Sequence, residues 1–241
     1  MTMQRLYSGA KKLGLQLSHE QLELFQTYYR ELVDWNKRLN LTTITEYEEV
    51  QINHFLDALT VVLGWQPPEG DNTAQVIDVG TGAGIPGIPL KIVFPAIGLV
   101  LLEATAKKAV FLENLTRKLG LEGIEIVIGR AEEVAHLSQY RERFDVVLSR
   151  AVAPLPALVE LTLPFCTTGG RLIAHKKGAI SPEVNQAAAA IKALGGSLRD
   201  TKAVELKEFP DRRWLVLIDK VSPTPGKYPR RPGIPAKRPL L

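Results

Sequence analysis

The sequence predicts an α/β fold: a mostly parallel, Rossmann-like sheet of seven strands ending in an antiparallel hairpin, preceded by a helical extension. Three observations predict it. From residue 75 onward, apolar runs of strand length alternate with helical stretches. The runs are continuously apolar, as strands covered on both faces of a parallel sheet are. The last two runs lie too close together for a crossover helix, so they pair antiparallel.

The helices come first. Ser18 and Gln21 fit a capping box, with Gln21 placed to reach back to the Ser18 amide. Leu22, Phe25, Tyr29, Leu32 and Val33 then recur at helical spacing, and Leu24, Tyr28 and Trp35 widen the stripe. This aromatic content reads as core. A polar break at 40–43 separates this helix from a second, over about 46–63, with Phe55, Leu59, Val62 and Leu63 inward. Residues 67–72 form a loop. Strands follow at 75–79, 99–102, 125–128, 144–148 and 171–174, separated by helical stretches near 107–119, 155–164 and 182–194. Runs at 203–206 and 214–218 make the hairpin. The domains are a helical extension (1–72), the sheet domain (73–221) and a tail (222–241).

Composition narrows the class. The 241 residues are 45% hydrophobic and 23% charged, the proportions of a soluble globular chain with a real core. A single cysteine excludes a disulfide framework and any zinc site built on several thiolates. The four histidines show no metal spacing, so no metal is expected. No apolar run reaches the ~18–20 residues of a membrane span, and the N-terminus lacks a signal's apolar region. The expectation is a cytoplasmic protein without a membrane partner. The net charge of +4 is unevenly placed: the tail carries Lys227, Arg230, Arg231, Lys237 and Arg238 with no acid, leaving residues 1–221 at −1. Six prolines argue that this tail is neither helix nor inner strand, but extended, lying on the body or free. It reads either as an arm for polyanions or as a solubilising tail.

The chemistry sits at strand ends. The first strand runs into Asp78-Val-Gly80-Thr-Gly82-Ala-Gly84-Ile85-Pro86-Gly87. Glycines let the chain turn off the strand and let a ligand approach the backbone, and the next helix aims its first amides at that ligand. Gly82-x-Gly84-x-x-Gly87 satisfies a dinucleotide fingerprint, whereas Asp78-x-Gly80-x-Gly82-x-Gly84 satisfies that of S-adenosylmethionine. The second fits the strand end better, and the Asp78 carboxylate suits a cationic ligand more than a pyrophosphate. Glu103 ends the second strand, where a carboxylate can accept both ribose hydroxyls. Ala131 and Glu132 follow the third strand, beside the place of the adenine in such sheets. Arg150 ends the fourth, pointing into the ligand crevice. An Asn-Pro-Pro-Tyr-like segment, which amine-methylating enzymes use, is absent there, and Cys166 reads as a buried thiol.

With these residues in place, the chain resembles the RsmG (GidB) family of bacterial 16S ribosomal RNA guanine-N7 methyltransferases over nearly its whole length. The matching segments are Trp35-Asn36-Lys37 with Asn40-Leu41-Thr42, His54 to Asp57, Asp78 to Leu90, Lys107-Lys108 with Phe111-Leu112, and Gly129 to Glu132. Phe144-Asp145, Ser149-Arg150-Ala151 and the tail from Lys227 to Gly233 complete them. The resemblance implies a class I S-adenosylmethionine-dependent methyltransferase acting on N7 of one guanine of 16S rRNA, guanine 527 in the 530 loop, on naked RNA or in the small-subunit particle. It carries cofactor contacts over to Gly80, Ile85, Glu103, Ala104, Thr105, Ala131, Glu132 and Arg150. Guanine N7 has a free lone pair, so alignment and shelter from water are needed rather than a general base. N7 cannot be hydrogen-bonded during attack, so a cation or amide should hold O6. Asn40, Arg150 and Lys176 are candidates, and His54 and Asp57, three apart on one helix, line the same pocket or form an intrahelical pair. The rival readings are a small-molecule methyltransferase, a nicotinamide-dependent oxidoreductase and a non-catalytic rRNA-binding module.

Overall fold

The computed structural model describes residues 3–67 and 73–240. Of the expected loop at 67–72, all but Pro67 lies outside the described residues. The strands are β1 (Gln75–Val79), β2 (Gly98–Glu103), β3 (Ile124–Ile128), β4 (Phe144–Arg150), β5 (Cys166–Lys177), β6 (Gly196–Val204) and β7 (Arg213–Lys220). They form one sheet in the order β3-β2-β1-β4-β5-β7-β6. The first five are parallel, and β7 pairs antiparallel with both β5 and β6. The order reverses at β1, so the crevice opens where β1 and β4 part, at their C-terminal ends.

β6 departs from expectation. The expected run at 203–206 overlaps only its last two residues, because the strand begins at Gly196. Residues 197–203 are polar or exposed on this sheet edge, so no apolar run announces them.

Alternation along the strands feeds two cores. Val76, Leu99, Leu101, Leu148 and Ile173 face one side, with Phe25, Phe55, Ile88 and Phe111 from the helices. Ile77, Val100, Val147 and Leu172 face the other, with Leu158, Val159 and Ala187. The N-terminal helices thus share a core with one face of the sheet.

Those helices are α1 (Gln4–Lys12) and α2 (His19–Leu39). The capping box of α2 is formed: the Gln21 amide donates to Ser18 Oγ at 3.2 Å and the Ser18 amide donates to Gln21 Oε1 at 2.9 Å. Its deepest aromatics are Phe25 and Tyr28; Tyr29 is only half-buried. The helix expected over 46–63 is helical throughout but changes gauge: α3 (Tyr47–Val50), a π-helical stretch (Gln51–Leu56), α4 (Asp57–Leu59) and a 3₁₀ turn (Thr60–Leu63). A π-helix inside a helix frequently marks a functional site.

The remaining helices are α5 (Gly87–Val93), α6 (Ala106–Lys118), α7 (Ala131–Val134), α8 (Leu155–Thr162), α9 (Ser181–Ala193) and α10 (Ile234–Lys237). α10 corrects the expectation that the tail holds no helix. Pro235 sits in its first turn, where a missing N–H costs nothing. The tail also lies on the body. Arg230 donates from its amide, Nε and Nη2 to the fully buried Glu160 at 2.6–3.1 Å, and Arg141 donates to the carbonyls of Thr224 and Tyr228 at 2.9 Å.

Candidate functional site

The glycine segment leaves β1 as a tight loop. Gly80, Gly82 and Gly84 all have positive φ (70°, 60° and 87°), a region side chains disfavour. At Gly82 a Cβ would meet nothing nearer than the Gly80 carbonyl at 4.0 Å, so this turn faces open crevice. Asp78 works from below. It is fully buried, and its Oδ2 accepts from Thr81 Oγ1 at 2.7 Å and from the Gly87 amide at 2.9 Å, tying the loop to the start of α5. Its Oδ1 has no partner, and burial pushes its carboxyl up to about 6. Expected as a cofactor contact, Asp78 is placed here as the post under the loop. From the other side, the hydroxyl of Tyr28 in α2 donates to the Ala83 carbonyl. The extension therefore reaches the glycine loop, which its reading as plain core did not anticipate.

Glu103 closes the loop's flank. Its Oε2 accepts from the Gly82 amide at 3.0 Å and its Oε1 from the Thr105 amide at 2.8 Å. A carboxylate offers about four lone-pair positions, so room remains for ribose hydroxyls. Ala104 and Thr105 are exposed at the same rim. Across the rim, Glu132 in α7 accepts from the Gly233 amide of the tail at 2.9 Å. The expected contacts from Gly80 to Ile85, from Glu103 to Thr105 and at Ala131 and Glu132 thus line up along β1, β2 and β3.

A second group gathers beyond β1. Arg150 reaches the π-helical stretch and α4: its Nη2 donates to His54 Nδ1 at 3.0 Å, and its Nε lies 3.4 Å from Asp57 Oδ2. His54 and Asp57 were expected to share a pocket or pair with each other; they meet through Arg150. An arginine can only donate, so toward Arg150 His54 Nδ1 is the acceptor; the Asn53 carbonyl lies 3.1 Å from the same nitrogen, and Nε2 is 2.8 Å from Thr42 Oγ1. Burial holds His54 down at about 4, keeping it neutral. Ala151, next after Arg150, has φ of 56°, uncommon outside glycine.

Beside this group is a cavity of about 270 Å³ between Asp57, Arg150, His175, Lys176, Lys177 and Arg213. In-register pairing of Arg150 with His175 puts β4 and β5 on one wall. His175 and Arg213 were missed as site residues. The only signal was position: one precedes Lys176, and the other opens the last strand. Arg213 Nη1 lies 3.7 Å from Asp57 Oδ2, and His175 Nε2 faces the Asp57 carbonyl at 3.0 Å. Two expected guanine holders are less favourably placed. The Lys176 ammonium donates to the Ala153 carbonyl at 2.9 Å and Glu183 Oε1 at 2.6 Å, and Asn40 is exposed as the left-handed cap of α2. Cys166 is buried at the start of β5, with its thiol pushed up to about 12. Among the described residues no group of three or more metal-ligating side chains converges, and no helix is long and apolar enough to cross a membrane.

Comparison with known proteins adds a family to this geometry. Residues 21–213 match the GidB family model, described as rRNA small subunit methyltransferase G. A protein of Dehalococcoides mccartyi named ribosomal RNA small subunit methyltransferase G is 54% identical over 239 residues, 99% of this chain and 100% of its own length. One of the same name from Roseiflexus castenholzii is 46% identical over 239 residues, again 99% of this chain and 100% of its own. Among solved structures, precorrin-6y C5,15-methyltransferase from Geobacter metallireducens matches at a TM-score of 0.51 and 16% identity, covering 73% of this chain and 90% of its own. The YcgJ protein of Bacillus subtilis matches at 0.52 and 13%, covering 70% and 100%. These likenesses show a shared fold.

Proposed function

Because the chain belongs to the GidB family of small-subunit rRNA methyltransferases, we propose that it transfers a methyl group from S-adenosylmethionine to N7 of one guanine of 16S rRNA, guanine 527 by resemblance, in the cytoplasm. One observation carries the reading: in a chain of this family, a glycine loop open at Gly82, the Glu103 carboxylate and the Arg150 guanidinium border one crevice. Residues 73–221 are then the catalytic domain, and the extension completes it from one side.

The residues present fit the cofactor. Arg150 Nη1 is buried without a partner, as suits a donor awaiting a carboxylate, and Gly82 leaves space where any side chain would stand. Glu103 would hold the ribose, Ala131 and Glu132 would flank the adenine, and Arg150 would take the methionine end. When bound, S-adenosylmethionine supplies a methyl group on a sulfonium. Guanine N7 would accept that methyl through its lone pair, and the electrons of the broken C–S bond would stay on sulfur. The protein's part is alignment and exclusion of water. No proton leaves the base, so neutral His54 and buried Asp57 act as supports that hold Arg150, and the Asp57 charge favours the cationic product ring.

Radiolabelled methyl transfer to naked rRNA and to small-subunit particles, followed by cleavage specific for 7-methylguanosine, tests this. A single cleavage in small-subunit rRNA is the expected result. Label at a base carbon or exocyclic amine would remove the N7 mechanism.

A further inference from the structure

We propose that the cavity at the β4–β5–β7 end of the crevice seats a phosphate of the RNA chain, with Arg213 as its principal ligand. The inference rests on RNA being the substrate and adds where the backbone is gripped.

Arg213 is pre-set and unfulfilled. Its side chain is 3% exposed. Nη2 donates to Asn53 Oδ1 at 2.7 Å, and the guanidinium lies over the Phe209 ring at 5.1 Å. Its Nε and Nη1 make no hydrogen bond, Nη1 resting 3.7 Å from Asp57 Oδ2. Buried donors left unpaired are costly, and a charged group more so. Such a group, fixed on two sides and facing a polar cavity, is built for an acceptor that arrives later.

Charge says the acceptor is an anion. Among the described residues lining the cavity, Asp57 is the carboxylate, against Arg150, Arg213 and Lys177. Lys176 is neutralised by Glu183, and burial keeps His175 neutral as it does His54. The wall therefore carries two positive charges in excess, of which one remains once Arg150 takes the cofactor's carboxylate. The space, about 270 Å³, far exceeds the 10–15 Å³ or so that one water needs.

Position and chemistry choose which anion. Glu103 and the glycine loop lie on β2 and β1, whereas Arg213 stands on β7, three strands from β1. At about 4.8 Å per strand that is on the order of 14 Å from the glycine loop, with Arg150 on β4 between the two. Guanine O6 is the other acceptor RNA offers to arginine. It is neutral and would leave the surplus charge of the wall uncompensated, so the acceptor is a backbone phosphate. Lys177 and Arg212 are exposed at the mouth and extend the same charge outward.

A cycle between enzyme and RNA tests the contact. Single methylphosphonates are placed one at a time around the target guanine in a synthetic RNA, and binding is measured for wild type and Arg213→Gln. At one position the neutralised phosphate should weaken wild-type binding about tenfold and Arg213→Gln less than twofold. S-adenosylmethionine affinity should stay within about twofold in the variant, which separates a phosphate contact from damage to the cofactor site. Equal losses in both proteins at every position would overturn the assignment. A wild type that neither binds nor methylates any RNA would instead overturn the rRNA reading. If Arg213→Gln does not fold, Lys177→Gln at the exposed mouth carries the same cycle, with the same position expected to lose its sensitivity in part.

Discussion

Gly82 shows how one residue type can be required twice. Its φ of 60° favours glycine, and the space its Cβ would enter is open crevice. Gly82→Val therefore strains the loop and fills the crevice in which we propose that the cofactor binds. Calorimetry with S-adenosylmethionine should show at least a hundredfold loss, about 3 kcal/mol, in a protein that still melts cooperatively. Undiminished affinity would remove the loop from the cofactor site. Arg150 teaches a different lesson. Its place at a strand end was legible from the chain, but its partners were not: His54 and Asp57 stand nearly a hundred residues away and meet it only because α4 packs over β4.

Among the elements, the tail is the one whose role the structure changes. Composition suggested an arm with five cations, yet Arg230 is spent on Glu160, a carboxylate with no solvent exposure. Arg230→Met should destabilise by roughly 3–5 kcal/mol in urea, because a buried charge loses its partner. Removing Arg38 from its exposed pair with Asp34 should cost no more than about 1 kcal/mol. Truncation after Val221 should also lower the melting temperature, since Arg141 and Glu132 lose the backbone groups they hold. A free arm would give truncated and full-length proteins the same melt. β6 fails to announce itself for a related reason: an edge strand needs polar residues on its open side, and those erase the apolar signal.

At the scale of the whole molecule, two buried groups pull the stability in opposite directions with pH. His54 is held at about 4 from an ordinary 6.5, so its contribution is present above 6.5 and lost as pH falls toward 4. Asp78 is raised to about 6 from 3.8, so its contribution is present below 3.8 and lost as pH rises through 6. Each is worth on the order of 3 kcal/mol, so between pH 4 and 6 the two nearly cancel. His175, also lowered by burial, adds a loss on acidification in every variant. Over that window urea midpoints should therefore fall more on acidification in Asp78→Asn than in wild type, and less in His54→Gln. Parallel profiles for all three proteins would show that neither group titrates in the fold as described.

What the chain determined alone was local and periodic. Apolar alternation, a capping box and glycines after a strand are each written within a few residues, because backbone geometry and burial act over a turn or a pleat. On those signals the sheet, its terminal hairpin, α2 and the glycine loop after β1 were all readable. The tertiary structure decided the rest. It switched residues 51–56 into a π-helix, brought Tyr28 to the glycine loop, and set His175 and Arg213 around Asp57. No short-range pattern encodes those meetings. They depend on the order in which β4, β5 and β7 lie in the sheet and on the helices packed against one face, so contacts across 55 to 160 residues follow from packing alone.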